Sequence, residues 1–362
     1  GGTLSTPKFP NIPGLHAFKG HKFHTSRWDF DYTGGSWDNP VLDKLADKRV
    51  AILGTGATSI QAVPYLGKYA KQLYVLQRTP SGVDARPNPP TDPEWAKSLE
   101  PGWQAARQEN FLRAANEILA LGAPDLICDF WTEINRNINA NLEAQGASEH
   151  PMPEFWDMRE KMDFQVMERV RRRVDTLVKD PETAEALKPY YRFMCKRPLS
   201  NNDYYDTFNL PNVKLIDVSA TQGLEARTEK GFIARGVEYD VDCMILASGF
   251  EVTSDLKRRW GFDDVVGRRG VSIYDHWADG PKTLHGMSTH NFPNMFFTGY
   301  VQGGLNGTTT LQFGRQVSHE AWIIRQALDQ GIKVLETTQE GQDAYVNRFN
   351  EVALDLSGIL ND

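Results

Sequence analysis

Arg49-Val-Ala-Ile-Leu53 runs directly into Gly54-Thr55-Gly56-Ala57-Thr58-Ser59, and this junction restricts the fold more than any other stretch. A short apolar, β-branched run reads as a buried strand. Gly54 permits a tight turn after it, and Gly56 lets the backbone come close to a pyrophosphate. The helix that follows aims unpaired N–H groups and a positive dipole end at that anion. The third position, commonly Gly or Ala, is Ser59, which is still small. Gln61 follows on the same helix. A G-x-G-x-x-G-like spacing alone is weak, and its alternative is an ordinary glycine-rich βα turn. Context strengthens it. Val50 to Leu53 forms a strand, 58–70 a helix with Pro64 as a possible kink, and Leu73 to Gln77 a second strand. The sequence therefore predicts an α/β chain with a Rossmann-like dinucleotide-binding domain.

The end of the second strand selects the nucleotide. An NAD-preferring site places a carboxylate there for the ribose hydroxyls. This chain has Gln77-Arg78-Thr79. A guanidinium offers bidentate, charge-assisted bonds to a 2′-phosphate, which a carboxylate would repel. Arg78 and Thr79 thus point to NADP(H). The competing use of Arg78 is a surface ion pair.

A chain of 362 residues suits roughly two domains. Its net charge of −7 argues against a general nucleic-acid binder. No apolar run approaches the ~18 residues of a membrane span. Cys128, Cys195 and Cys243 are sparse and lack metal spacing, and the eight His form no ligand set. The expectation is a cytoplasmic protein with reduced thiols, no metal, no membrane and no nucleic-acid partner.

Beyond the βαβ unit, 84–101 is proline-rich and irregular. Residues 103–143 and 155–178 read as helical, and Arg171-Arg-Arg173 reads as a solvated face. Strands are expected at 213–218, 231–234, 241–247 and 294–298, and a long helix at 309–330.

Upstream of the dinucleotide turn stand Phe18, Gly20, His24, Trp28 and Asp29. Their spacing resembles the F-x-G-x-x-x-H-x-x-x-W-[P/D] fingerprint of the Baeyer–Villiger monooxygenase family, class B flavoprotein monooxygenases. Cys195-Lys196-Arg197-Pro198 and Ala247-Ser-Gly249-Phe250 are also similar to family segments. The resemblance extends from Gly2 to about Asp362. It implies FAD and NADP(H) as cofactors, and conversion of a ketone to an ester or lactone with NADPH and O2. It implies that Arg197 lies beside flavin and NADP⁺ and steadies the anionic flavin peroxide, as a side chain that stays charged. Lys196 would join Arg78 and Thr79 around the 2′-phosphate. His24 is assigned a structural role where domains meet, Trp28 a packing role, and Asp29 the cap of the turn that follows.

On this resemblance, 1–40 is a linker carrying the fingerprint. Residues 41–210 are an NADP-binding domain with a helical insertion at about 90–190, and 211–362 are the C-terminal part of a flavin-domain-like α/β region. The family's first Rossmann segment, with its own FAD turn, finds no counterpart before Phe18, so an absent flavin-binding segment or chain is an expected partner. Residues from Val213 onward would then complete a sheet begun by that segment, leaving Met244 to Ala247 as an open edge. Two alternatives stand beside a monooxygenase or a fragment of one. The first is a flavin-free NADP(H)-dependent reductase or non-redox enzyme. The second is a non-catalytic nucleotide-binding protein.

Overall fold

The computed structural model describes residues 4–14, 17–150, 154–193, 195–252, 255–261, 263–302 and 308–353. In chain order the elements begin β1 (His21–His24), α1 (Phe30–Thr33), β2 (Arg49–Leu53), α2 (Ala57–Tyr69), β3 (Gln72–Gln77) and β4 (Val83–Asp84). They continue with α3 (Pro93–Lys97), α4 (Trp103–Ala115), α5 (Glu133–Ala144), α6 (Phe155–Leu177), α7 (Pro181–Leu187), β5 (Leu199–Ser200) and α8 (Tyr204–Thr207). Then come β6 (Val213–Asp217), β7 (Ala226–Arg227), β8 (Gly231–Ala234), β9 (Val237–Asp240) and β10 (Cys243–Leu246). The last are α9 (Leu256–Trp260), α10 (Ile273–His276), α11 (Thr309–Asp329) and α12 (Gln339–Glu351). They form two compact units, the first from Pro7–Thr91 and Glu154–Glu251, the second from the described residues of Gly1–Thr6, Asp92–Pro153 and Val252–Asp362.

The first unit is built on a parallel sheet in the order β1-β10-β2-β3-β6. Because side chains alternate along a strand, each strand feeds two cores. Val50 and Ile52, Leu73 and Val75, and Cys243 and Ile245 face the layer containing Ile60, Val63 and Leu66 of α2. Ala51 and Leu53, with Met244 and Leu246, face the layer containing Phe232 and Ala234 of the antiparallel β7-β8-β9 meander. β10 therefore lies inside the sheet, between β1 and β2. The expected open edge at Met244 to Ala247 is corrected: the fingerprint segment itself supplies the neighbouring strand. The strands of 213–217 and 243–246 likewise complete the sheet of the dinucleotide turn, not one begun elsewhere.

Pro64 sits inside α2, which runs on through it. A proline lacks the N–H that would bond the carbonyl four residues earlier, here that of Ile60. The Asn201 side-chain amide donates to that carbonyl at 3.1 Å, so the acceptor is satisfied. Asn201 Oδ1 in turn accepts from the backbone N–H groups of Asp203 and Tyr204, at 2.8 and 3.0 Å. One side chain thus joins the proline helix to the start of α8. Gly67 allows close packing between those helices, since a Cβ there would lie 2.6 Å from the Thr207 methyl.

The basic run on α6 is a second correction. Arg173 donates to the carbonyls of Val83 and Asn201, both at 3.2 Å, and lies over the Tyr205 ring. Arg171 bonds the Pro189 carbonyl at 3.1 Å. With the bidentate pair between Arg169 and Asp84, this face ties β4 and β5 to the helix; it is not simply solvated. Arg227 is buried, and its guanidinium nitrogens find no acceptor among the described residues; burial pushes its pKa down to about 10.

In the second unit, the expected helical run over 103–143 is broken into α4 and α5. Asp125 accounts for the break: it accepts from the N–H groups of Ile127 and Cys128 and from Thr132, and pairs with Arg136. The strand expected at 294–298 does not form. Asn294 has φ +57° and bonds Leu335 through both backbone N–H and side chain. Met295 and Phe297 pack on the cluster of Ile273, Trp277 and Phe292 instead. Among the described residues, no helix is long and apolar enough to cross a membrane.

Asn201→Ala strands the Ile60 carbonyl and two N–H groups at once. We expect a loss of about 1–3 kcal/mol in folding stability, read from denaturant unfolding; no change in midpoint would rule out the proline compensation.

Candidate dinucleotide-binding site

The glycine turn forms at the carboxyl end of β2, where the parallel sheet's crevice opens. Gly54 has φ +107°, and a Cβ there would stand 2.7 Å from the Ala247 carbonyl oxygen. Both facts require glycine: the turn is left-handed and β10 ends hard against it. Gly56 is different, since no atom lies within 4 Å of where its Cβ would be. It leaves open space at the start of α2. Gly56 is the N-cap of α2 and brings no side-chain hydrogen bond, leaving the N–H groups of the first turn, at Ala57, Thr58 and Ser59, to an anion. Thr58 and Gln61 are exposed, and Gln61 bonds the Ala57 carbonyl at 2.8 Å. Ser59 is fully buried in the helix–strand contact, and its Oγ has no partner among the described residues.

Thr55 couples this turn to the next. Its hydroxyl donates to the Thr79 carbonyl at 2.9 Å, and its carbonyl accepts from the Ser81 hydroxyl at 2.6 Å. Sequence reasoning missed Ser81, which carries no motif. The turn after β2 and the turn after β3 are therefore held together.

Arg78, Thr79 and Lys196 line one cleft of about 1380 Å³. Arg78 is exposed and makes no ion pair among the described residues, so the surface-pair alternative is not realised. Lys196 is also exposed, with its ammonium over the Tyr191 ring at 5.7 Å. The cleft wall adds Lys188, Lys214 and Arg235, with Asp180, Glu182, Glu185 and Asp217 among its acids. Arg197 is exposed and does not line the cleft, nor do Gly54 to Ser59 and Gln61. Two backbone anchors hold the segment leading to Lys196. Tyr191 Oη accepts from the Gly82 N–H at 2.7 Å, and the buried carboxylate of Asp163 accepts from the Phe193 N–H at 3.1 Å. Burial raises the Asp163 pKa, against the lowering effect of that bond.

The fingerprint is a structural clamp. Phe18 is buried with its ring against Gly20; a Cβ on Gly20 would fall 2.3 Å from the ring tip. Asp29 caps α1 through the Tyr32 N–H at 3.0 Å and pairs with His21 at 2.9 Å. Trp28 packs on Phe23 and donates its indole N–H to Thr33 at 3.0 Å. His24 ends β1. Its Nδ1 accepts from the Ser26 N–H at 3.2 Å, so Nε2 carries the proton and donates to the Gly249 carbonyl at 3.0 Å. The rings of Phe9 and Phe250 meet it edge-on. Burial depresses its pKa more strongly than the Gly249 bond raises it, and Arg27 adds a further lowering.

Fold and site define a Rossmann-like α/β protein. No family model matches the chain. It is 44% identical over 357 residues to neopentalenolactone D synthase of Streptomyces avermitilis, covering 97% of this chain and 59% of that protein. It is 44% identical over 350 residues to Baeyer–Villiger monooxygenase ATR8 of Stachybotrys chlorohalonatus, covering 97% and 55%. Among solved structures, polycyclic ketone monooxygenase from Thermothelomyces thermophila superposes with a TM-score of 0.83 at 38% identity, over 95% of this chain and 56% of that one. OTEMO in complex with FAD and NADP gives 0.72 at 29%, over 99% and 66%. Along almost its whole length the chain is similar to Baeyer–Villiger monooxygenases. It spans about 55–66% of the lengths of these four proteins.

His24 makes stability pH-dependent. Its folded pKa lies below the ordinary 6.5, so the unfolded chain takes up its proton first as pH falls. The His24 contribution is complete above about pH 6.5 and is lost progressively below it, until the folded imidazole protonates as well. His24→Gln keeps a donor for Gly249 but cannot titrate. We expect the loss of stability between about pH 6.5 and 5 to be smaller in His24→Gln than in the parent, measured by denaturant unfolding; equal losses would exclude this role.

Proposed function

We propose that this chain is the NADP(H)-binding portion of a Baeyer–Villiger monooxygenase, or a fragment of one, that converts a ketone to an ester or lactone. FAD and NADP(H) are the cofactors. Together they supply reducing equivalents from NADPH and the oxygen atom, from O2, that is inserted beside the carbonyl. The observation carrying the nucleotide reading is that Arg78 and Lys196, neither in an ion pair among the described residues, share one cleft whose turn is bonded to the glycine turn. The open space at Gly56 and the uncapped start of α2 fit a pyrophosphate.

On this reading Arg78 and Thr79 bind the 2′-phosphate, with Lys196 as a third donor, and the α2 N-terminus binds the pyrophosphate. Arg197, exposed beside Lys196, is the permanently charged donor for the negative charge that develops on oxygen near the flavin. His24 and Gly249 keep the strand ends in register and take no part in proton transfer. We further propose residues 41–210 as the core of the NADP-binding domain, with a helical insertion at about 90–190. From the neighbouring regions, β1 of 1–40 and β6 and β10 of 211–362 join its sheet, the β7-β8-β9 meander forms a sheet of its own, and the rest of 211–362 is flavin-domain-like. A flavin-binding segment or chain completes the enzyme, and a neutral ketone is the substrate. We place the protein in the cytoplasm, in keeping with three free thiols at Cys128, Cys195 and Cys243.

Two measurements test this. Arg78→Ala should weaken NADPH binding by about tenfold or more while leaving NADH binding nearly unchanged, since a lost charge-assisted pair is worth that factor. A parent chain that binds NADH and NADPH alike would overturn the NADP(H) assignment. A visible spectrum of the chain joined to its flavin-binding segment should show flavin bands. A colourless protein in that completed state that still binds NADPH would favour the flavin-free reductase reading.

A further inference from the structure

We propose that Arg235 is a specificity-determining residue: a second guanidinium, beyond Arg78, that binds the 2′-phosphate of NADP(H). This rests on the NADP(H) reading above and extends it to a further residue of the same cleft.

Arg235 lines the cleft together with Arg78, Thr79 and Lys196. The further cations of that wall are already engaged. Lys188 lies between Asp175 and Glu185, 2.9 Å from each, and Lys214 lies over the Tyr239 ring. Arg235, like Arg78, is exposed and has neither an ion pair nor a hydrogen bond from its side chain among the described residues. Three acids of the cleft already have partners, and Glu225 beside the turn accepts from the Gly236 N–H at 3.0 Å. Asp180 caps α7, Asp217 accepts from the Ser219 N–H, and Glu185 is held by Lys188 and Tyr190. The cleft thus holds two guanidinium groups with no anion of its own assigned to either.

The backbone adds a second observation. Arg235 and Gly236 are the two central residues of the hairpin joining β8 and β9, with φ +52° and +72°. Such a turn favours Asn, Asp or Gly at the first position. An arginine there carries a steric cost that Asn would remove. A long cationic side chain that lines the cleft thus stands at a strained backbone position. A 2′-phosphate suits this arrangement. One guanidinium binds two of its oxygens, leaving further charge and a third oxygen for another donor. A bare ribose hydroxyl offers neither.

Because Asn suits this turn, Arg235→Asn should fold at least as well as the parent. The test is calorimetric titration of the chain with 2′,5′-ADP and with 5′-AMP, which differ by the 2′-phosphate and need no flavin. We expect Arg235→Asn to weaken 2′,5′-ADP binding about tenfold, to leave 5′-AMP binding unchanged, and Arg235→Lys to recover part of the loss. If Arg235→Asn binds 2′,5′-ADP like the parent while Arg78→Ala does not, the second guanidinium is rejected and the nucleotide reading stands. If the parent itself does not distinguish the two ligands, the nucleotide reading fails and this inference with it.

Discussion

The placement of β10 between β1 and β2 is the constraint on which the first unit depends. It is fixed at both ends by polar contacts. At the amino end, Asp242 accepts from the Arg49 backbone N–H at 2.7 Å and from its guanidinium at 3.0 and 3.2 Å. At the carboxyl end, His24 donates to Gly249, and Gly54 leaves room for the Ala247 carbonyl. Between these ends Cys243, Met244, Ile245 and Leu246 are buried on both faces, and burial of side chains of this size contributes about 1.5–3 kcal/mol each. Burial also pushes the Cys243 thiol up to about 12, so this thiol is inert.

That arrangement explains why the fingerprint and the dinucleotide turn belong together though ~30 residues part them. The fingerprint strand covers β10, β10 meets β2, and the turn leaves β2. The contacts of the motif's residues hold strand ends and caps in place. Phe18 fills the meander-side core, Gly20 makes room for its ring, Asp29 caps α1, and His24 closes the strand end. The cleft's turn after β3 is tied to this frame at the same carboxyl end of the sheet, through Thr55 and Ser81.

The misreadings share one cause. Pro64 looked like a kink because its lost hydrogen bond is local, whereas its remedy, Asn201, lies 141 positions from the carbonyl it satisfies. The Arg171–Arg173 run looked solvated because charge along a helix shows no partner until β4 and β5 pack beside it. Residues 294–298 have strand-like composition, but composition does not supply a neighbour. Met244 to Ala247 looked like an open edge because the chain order hides β1, more than 200 residues earlier, as its neighbour.

By itself the sequence determined what depends on local chemistry. It set the strand–glycine–helix turn, the continuous apolar runs that bury β2 and β10, the Asp29 cap, and the replacement of a ribose-binding carboxylate by Arg78. Those follow from backbone freedom, apolar patterning and charge, which short stretches encode. Tertiary structure alone decided which strand lies beside which, that Lys196 shares a cleft with Arg78 while Arg197 does not line it, and that Arg235 faces that cleft. Such facts are set by contacts between residues far apart in the chain, whose energies appear only once the sheet has closed.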